Sequence, residues 1–139
     1  MISLVPREDV PSVWHIVEPL LAKSVARSSG RDALKDVHDD LLWGKQSLWV
    51  ALDGNEIIGC CTVRINWYKT GLRTLSYEHL GGKDVERWLF EGHEILQNYA
   101  KDYGCTRLEV PQGRKGWTPL LKKIGYRTFA IRYEFELKD

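Results

Sequence analysis

The sequence predicts one α/β domain spanning residues 1–139, with a mixed, mostly antiparallel central sheet flanked by helices in the order β-α-α-β-β-β-α-β-α-β. Three observations lead there. Apolar residues recur at helical spacing in several segments, runs rich in β-branched and aromatic residues lie between them, and glycine or proline marks nearly every junction. A chain of 139 residues has the size of a single domain. A hydrophobic share of 43% and a charged share of 28% exclude disordered and fibrous classes.

Each element has a local reason. Ile2 and Leu4 alternate ahead of Pro6, giving a short first strand. Asp9 is a candidate cap for a helix with Pro11 in its first turn and Val10, Val13, Trp14, Val17, Leu20, Leu21 and Val25 on one side. Pro19 lies inside it, which predicts a kink or break near Glu18. Past Ser28-Ser29-Gly30-Arg31, a second helix begins at Asp32, presents Leu34, Val37 and Leu41, and ends at Gly44. Its other face carries Asp36, Asp39 and Asp40, read as a solvated face.

Ser47 to Leu52 and Glu56 to Tyr68 flank Asp53-Gly54-Asn55, the clearest hairpin signal in the chain. Lys69-Thr70-Gly71 reverses the chain again into Leu72 to Leu80, completing a three-stranded meander. Asp84 is placed to cap a long helix that ends at Gly104. Cys105 to Val110 then alternates as a strand, and a short helix with Trp117, Leu120, Leu121 and Ile124 closes at Gly125. Tyr126 to Leu137 reads as one or two final strands.

Charge and special residues narrow the function classes. Twenty Lys and Arg against nineteen Asp and Glu create no net field to draw nucleic acid or an acidic membrane, so neither is expected as a partner. The start lacks a signal-peptide pattern and no segment is apolar enough to span a bilayer, which predicts a cytoplasmic protein. Three cysteines, two adjacent at Cys60 and Cys61, suit a reducing compartment. His15, His38, His79 and His93 are scattered, so no metal is expected.

The element order, together with Trp49-Val50-Ala51-Leu52, the Asp-Gly turn, Ile57-Ile58-Gly59 and the helix from Leu120 to Gly125-Tyr126, resembles the GNAT acetyltransferase superfamily across nearly the whole chain. Trp88 through Tyr99, Gly104-Cys105, Leu108-Glu109-Val110, Gly116-Trp117 and Gly125-Tyr126 are similar to short GNAT-like proteins of phages and prophages. The resemblance implies acetyl-CoA as cosubstrate, bound where two parallel strands splay apart, and a small-molecule or protein amine as acceptor. It also implies backbone donors for the CoA pyrophosphate after the fourth strand, in a loop patterned Gln/Arg-x-x-Gly-x-Gly/Ala. Here that stretch reads Leu80-Gly81-Gly82-Lys83, followed by Asp84, whose carboxylate at the cap is expected to occupy the helix donors and repel phosphate.

On the same resemblance Glu78 is the general-base candidate, with His79 expected on the opposite face of a regular strand. Leu121 stands where many members keep a tyrosine acid and Arg114 where they often keep asparagine, leaving Tyr126 as the replacement acid and Tyr103 or Tyr68 as further phenols. Arg107, Arg114, Lys115, Lys122, Lys123 and Arg127 form the strongest basic cluster, and Arg114 and Lys115 are the candidates for the CoA phosphate. Trp43 is expected in the core, and Trp67-Tyr68 at a contact surface. The alternative reading is a catalytically silent GNAT-like module, a phage accessory or virion component, with a second copy of the chain or a phage protein as partner.

Overall fold

The computed structural model describes residues 1–138. Strands β1 (Ile2–Val5), β2 (Ser47–Asp53), β3 (Glu56–Trp67), β4 (Arg73–Gly82) and β5 (Arg107–Glu109) lie side by side in chain order. The first four pair antiparallel, and β4 pairs with β5 in parallel. Helices α1 (Val10–Ala26) and α2 (Leu34–Trp43) follow β1, α3 (Val85–Asp102) connects β4 to β5, and α4 (Thr118–Ile124) follows β5. Short 3-10 turns at Arg7–Asp9 and Lys115–Trp117 precede α1 and α4.

The central strands are apolar at consecutive positions because both sheet faces are covered. On β2, Leu48 and Val50 join Val17, Leu21, Val37 and Leu41 in the core beneath α1 and α2. Trp49 and Ala51 point the other way, to Leu89, Leu96 and Ala100 of α3. Leu21, Leu41, Leu48, Leu75 and Leu96 are fully buried, each contributing about 1.5–3 kcal/mol relative to exposure. Gly44 and Gly125 end α2 and α4 in the left-handed conformation, as their sequence positions predict.

Several expectations are corrected. Helix α1 runs through Pro19 without a break. Pro19 and His15, whose carbonyl would have taken the missing proline donor, both lie on the exposed side. Helix α2 starts at Leu34 rather than Asp32. Trp43 is 77% exposed rather than buried. The strand expected over Tyr126 to Leu137 does not form: after the Tyr126 amide bonds the Leu121 carbonyl at 2.9 Å, residues 127–138 take no strand structure.

Candidate active site

The parallel pairing of β4 and β5 covers only Thr74, Ser76 and the Leu75 between them, opposite Arg107 to Glu109. Beyond Ser76 and Glu109 the strands part, while β4 stays paired with β3 as far as Gly82. The β5 side of β4 is therefore open from Tyr77 onward. At that point β4 carries a bulge: Val63 faces Tyr77 and Thr62 faces His79, leaving Glu78 as the extra residue.

The bulge overturns the expectation that Glu78 and His79 face opposite ways. Tyr77 and Leu80 lie in the core under α3. Glu78 and His79 both turn toward α1 and α2. The Glu78 Oε1 accepts from Arg64 Nε at 3.1 Å and from Ser76 Oγ at 3.2 Å, and Arg64 also reaches Asp40 of α2 at 2.9 Å. Both Glu78 bonds fall on Oε1, so Oε2 is the oxygen left for a proton. His79, 4% exposed, lies 2.8 Å through Nδ1 from Ser24 Oγ and 3.1 Å through Nε2 from Asp32 Oδ2. Ser24, His79 and Asp32 thus form a hydrogen-bonded chain from the buried strand to a half-exposed carboxylate.

On the other face, Tyr126 and Leu80 line an apolar cavity with Tyr77, Leu89, His93, Val110, Trp117, Leu121 and Ile124. Its volume of about 10 Å³ is room for roughly one water. The Tyr77 hydroxyl is buried there without a hydrogen-bond partner among the described residues. Burial pushes the Tyr126 phenol up to about 12, so it holds its proton at neutral pH. His93 Nδ1 lies 3.2 Å from the Tyr126 hydroxyl. Burial lowers the His93 pKa below its ordinary 6.5, against a smaller opposing pull from Glu94.

A histidine whose folded pKa is depressed binds its proton first in the unfolded chain. Its contribution to stability is present above pH 6.5 and is lost as the pH falls through the lower folded value. Thermal melts are expected to drop on acidification below pH 6.5, and His93→Asn to flatten that dependence. An unchanged slope in the variant would exclude His93 as the source.

The expected pyrophosphate loop is instead the end of β4. A Cβ on Gly81 would lie 1.9 Å from the Leu20 carbonyl oxygen, and one on Gly82, at φ +130, would lie 2.4 Å from both Gly59 Cα and the Ile58 oxygen. The Cβ side of each is filled by backbone, so these glycines allow close chain packing. The Lys83 amide donates to Ile58 at 2.8 Å and its carbonyl accepts from Trp88 Nε1 at 2.8 Å, leaving its exposed side chain free of those roles. Asp84 makes no side-chain cap bond and sits at φ +51, so its carboxylate does not occupy the α3 donors as expected. Leu80 is a core residue. Arg114 lies over the Trp117 ring at 5.4 Å, and exposed Lys115 opens the turn before α4. Cys60, Cys61 and Cys105 are free and buried, and burial raises Cys60 to about 12, which makes it inert. No cluster of metal-ligating side chains occurs among the described residues, and no described helix is long and apolar enough to cross a membrane.

No protein-family model and no curated protein matches the sequence. Solved structures do match. A probable acetyltransferase superposes with a TM-score of 0.71 at 12% identity, covering 100% of this chain and 99% of that one. A predicted acetyltransferase from Clostridium acetobutylicum, solved with acetyl-CoA, gives 0.65 at 15% identity, with 98% and 95% covered. An aminoglycoside acetyltransferase from an uncultured soil metagenomic sample, solved with sisomicin, gives 0.70 at 14% identity, with 99% and 96% covered. The chain has the GNAT acetyltransferase fold.

Within the GNAT fold of this chain, the structure brings Glu78 to the point where β4 and β5 part and Tyr126 to the cavity on the opposite face. Sequence reasoning missed Ser24, Asp32, Arg64 and His93. Arg64 alone had a signal: closing the meander at Lys69-Thr70-Gly71 sets it diagonally across from Glu78. Ser24, Asp32 and His93 meet their partners only through helix packing.

Proposed function

We propose that the protein is an N-acetyltransferase that moves an acetyl group from acetyl-CoA to an amine. The observation that carries this reading is the bulge on β4 at Glu78, which stands beside the point where β4 and β5 part and leaves Oε2 outside the Arg64 and Ser76 bonds. In this reaction the amine nitrogen attacks the thioester carbonyl carbon and the carbon–sulfur bond breaks. Glu78 takes the proton lost by the nitrogen, and Tyr126 gives its proton to the departing thiolate. Proton return from Glu78 to Tyr126 through solvent restores both groups. Ser24, His79 and Asp32 supply a second path along which a proton leaves β4 for solvent. The unpaired edge of β4 presents backbone N–H groups to the gap, the type of donor that stabilises a developing oxyanion.

With Gly81 and Gly82 spent on packing, the anionic end of CoA falls to the first turn of α3, the Lys83 side chain, and Arg114 with Lys115. The likeness to proteins solved with acetyl-CoA and with an aminoglycoside supports a CoA donor and an amine acceptor.

Acetyl-CoA at about a hundred times its dissociation constant is expected to add ~2.7 kcal/mol of stability, roughly ten degrees in melting temperature. Lys83→Glu should reduce that shift. A melting temperature that ignores acetyl-CoA would favour the silent GNAT-like module instead, consistent with the glycine loop being packed against protein.

A further inference from the structure

Ser24, His79 and Asp32 come from three separate segments: the last turn of α1, the bulged part of β4 and the loop before α2. Their contacts fix where the protons lie. An Asp32 carboxylate only accepts, so His79 Nε2, 3.1 Å from its Oδ2, carries the ring proton. In the neutral ring Nδ1 then holds a lone pair, and the Ser24 hydroxyl, 2.8 Å away, donates to it. A hydroxyl that donates to an imidazole, itself oriented by a carboxylate, is the arrangement that turns serine into a nucleophile.

The loop that carries Asp32 is built to hold this order. Ser28, 5% exposed, accepts from the Asp32 amide at 3.0 Å and donates to the Asp32 carbonyl at 3.3 Å, so the backbone of that residue is pinned on both sides. Arg31 in turn donates to the Ser28 carbonyl at 3.3 Å. Between them Ser29, at φ +57, is left-handed, a conformation that a residue with a side chain keeps only where its surroundings impose it. His79 is shut away from water, whereas Ser24 is half-buried, so the hydroxyl is where an acyl group reaches the chain. Arg27, three residues further along α1 and hence on the same side as Ser24, is exposed and has no carboxylate partner among the described residues.

We propose that Ser24 is an acyl-accepting nucleophile, and that this face of the sheet carries a second activity, the hydrolysis of short activated acyl esters. Ser24 Oγ attacks the ester carbonyl carbon and its proton passes to His79 Nδ1. The bond from that carbon to the leaving oxygen breaks as His79 hands the proton to the departing alcohol. Arg27 donates to the carbonyl oxygen while it bears negative charge. Water then attacks the acyl-serine, giving one proton to Nδ1, which returns it to Ser24 Oγ as the carboxylic acid leaves. Asp32 keeps the Nε2 proton in place throughout. No CoA and no amine enter these steps, so the proposal stands apart from acetyl transfer.

The test uses the full chain with p-nitrophenyl acetate and no CoA. The expected result is a burst of nitrophenol stoichiometric with the chain, slower turnover after it, and an acetyl ester on the peptide that contains Ser24, read by mass spectrometry. Ser24→Ala should abolish burst and ester, and His79→Asn should slow the burst about 10²- to 10⁴-fold. Circular dichroism matching the parent establishes that each variant is folded. A second reading needs no ester. Because Cys60, Cys61 and Cys105 are buried, iodoacetamide applied to Ser24→Cys reads the introduced thiol, and adding His79→Asn should slow its alkylation at least about tenfold. Acetyl groups found only on lysines or the N-terminus would overturn the proposal. So would a burst indifferent to Ser24→Ala, or an alkylation rate indifferent to His79→Asn.

Discussion

Gly81→Ala is expected to destabilise the domain by about 3 kcal/mol, whereas Gly116→Ala should change it by less than ~0.5 kcal/mol. The contrast follows from what the new methyl group meets. At Gly81 it would stand 1.9 Å from the carbonyl oxygen of Leu20 and 2.9 Å from the carbon, both backbone atoms of α1. No rotamer change relieves that, so α1 must lift away from β4. Val17 and Leu21, completely buried between that helix and the sheet, would lose contacts as it moved. At Gly116 nothing lies within 4 Å. Since domains of this size are stable by only about 5–15 kcal/mol, the first variant loses a large fraction of the total. Urea unfolding measures both, and equal midpoint shifts would contradict the close helix–strand approach. The same displacement would draw Ser24, one turn beyond Leu20, away from its 2.8 Å contact with His79.

The elements legible in the sequence were those set by neighbours a few residues away. Asp53, Gly54 and Asn55 announce the hairpin because its loop, Gly54 and Asn55 between paired Asp53 and Glu56, needs a glycine at φ +60. Gly44 and Gly125 announce helix ends for the same local reason. Gly81 and Gly82 were misleading because paired glycines usually signal a turn, whereas here they answer to Leu20 and Gly59, distant in sequence. The bulge left a faint mark, since Leu75 and Tyr77 alternate but Leu80 falls one position out of phase, and the extra residue is fixed only when β4 is laid against β3. Glu78 could be picked out from a resemblance and Arg64 from the meander, but turning His79 onto the same face, where it meets Ser24 and Asp32, depends on that bulge. The last strand failed for a related reason. Alternation sets which face is apolar, but a strand also needs a neighbour to accept its hydrogen bonds, and residues 127–138 have none among the described residues.

Glu78→Gln is expected to lower acetyl transfer by about 10²- to 10⁴-fold, the usual worth of a positioned proton acceptor, while leaving the acetyl-CoA melting shift intact. Glutamine keeps the shape and retains a carbonyl oxygen for Arg64 Nε and Ser76 Oγ, but it cannot take a proton from an amine. The structural cost should be small, about 1 kcal/mol or less. Arg64 is partly exposed and still holds Asp40 at 2.9 Å, so it is not left as an isolated buried charge. The measurement is thiol release from acetyl-CoA with whichever primary amine of a test panel the parent enzyme accepts. Because Glu78 and His79 share one face, His79→Asn is the necessary comparison. If Glu78 is the base, the glutamine variant falls far below the asparagine variant, and its rate recovers as rising pH supplies the amine already deprotonated. Were the order reversed, the proton would leave through the chain from His79 to Asp32, and Glu78 would be reduced to holding Arg64 against α2.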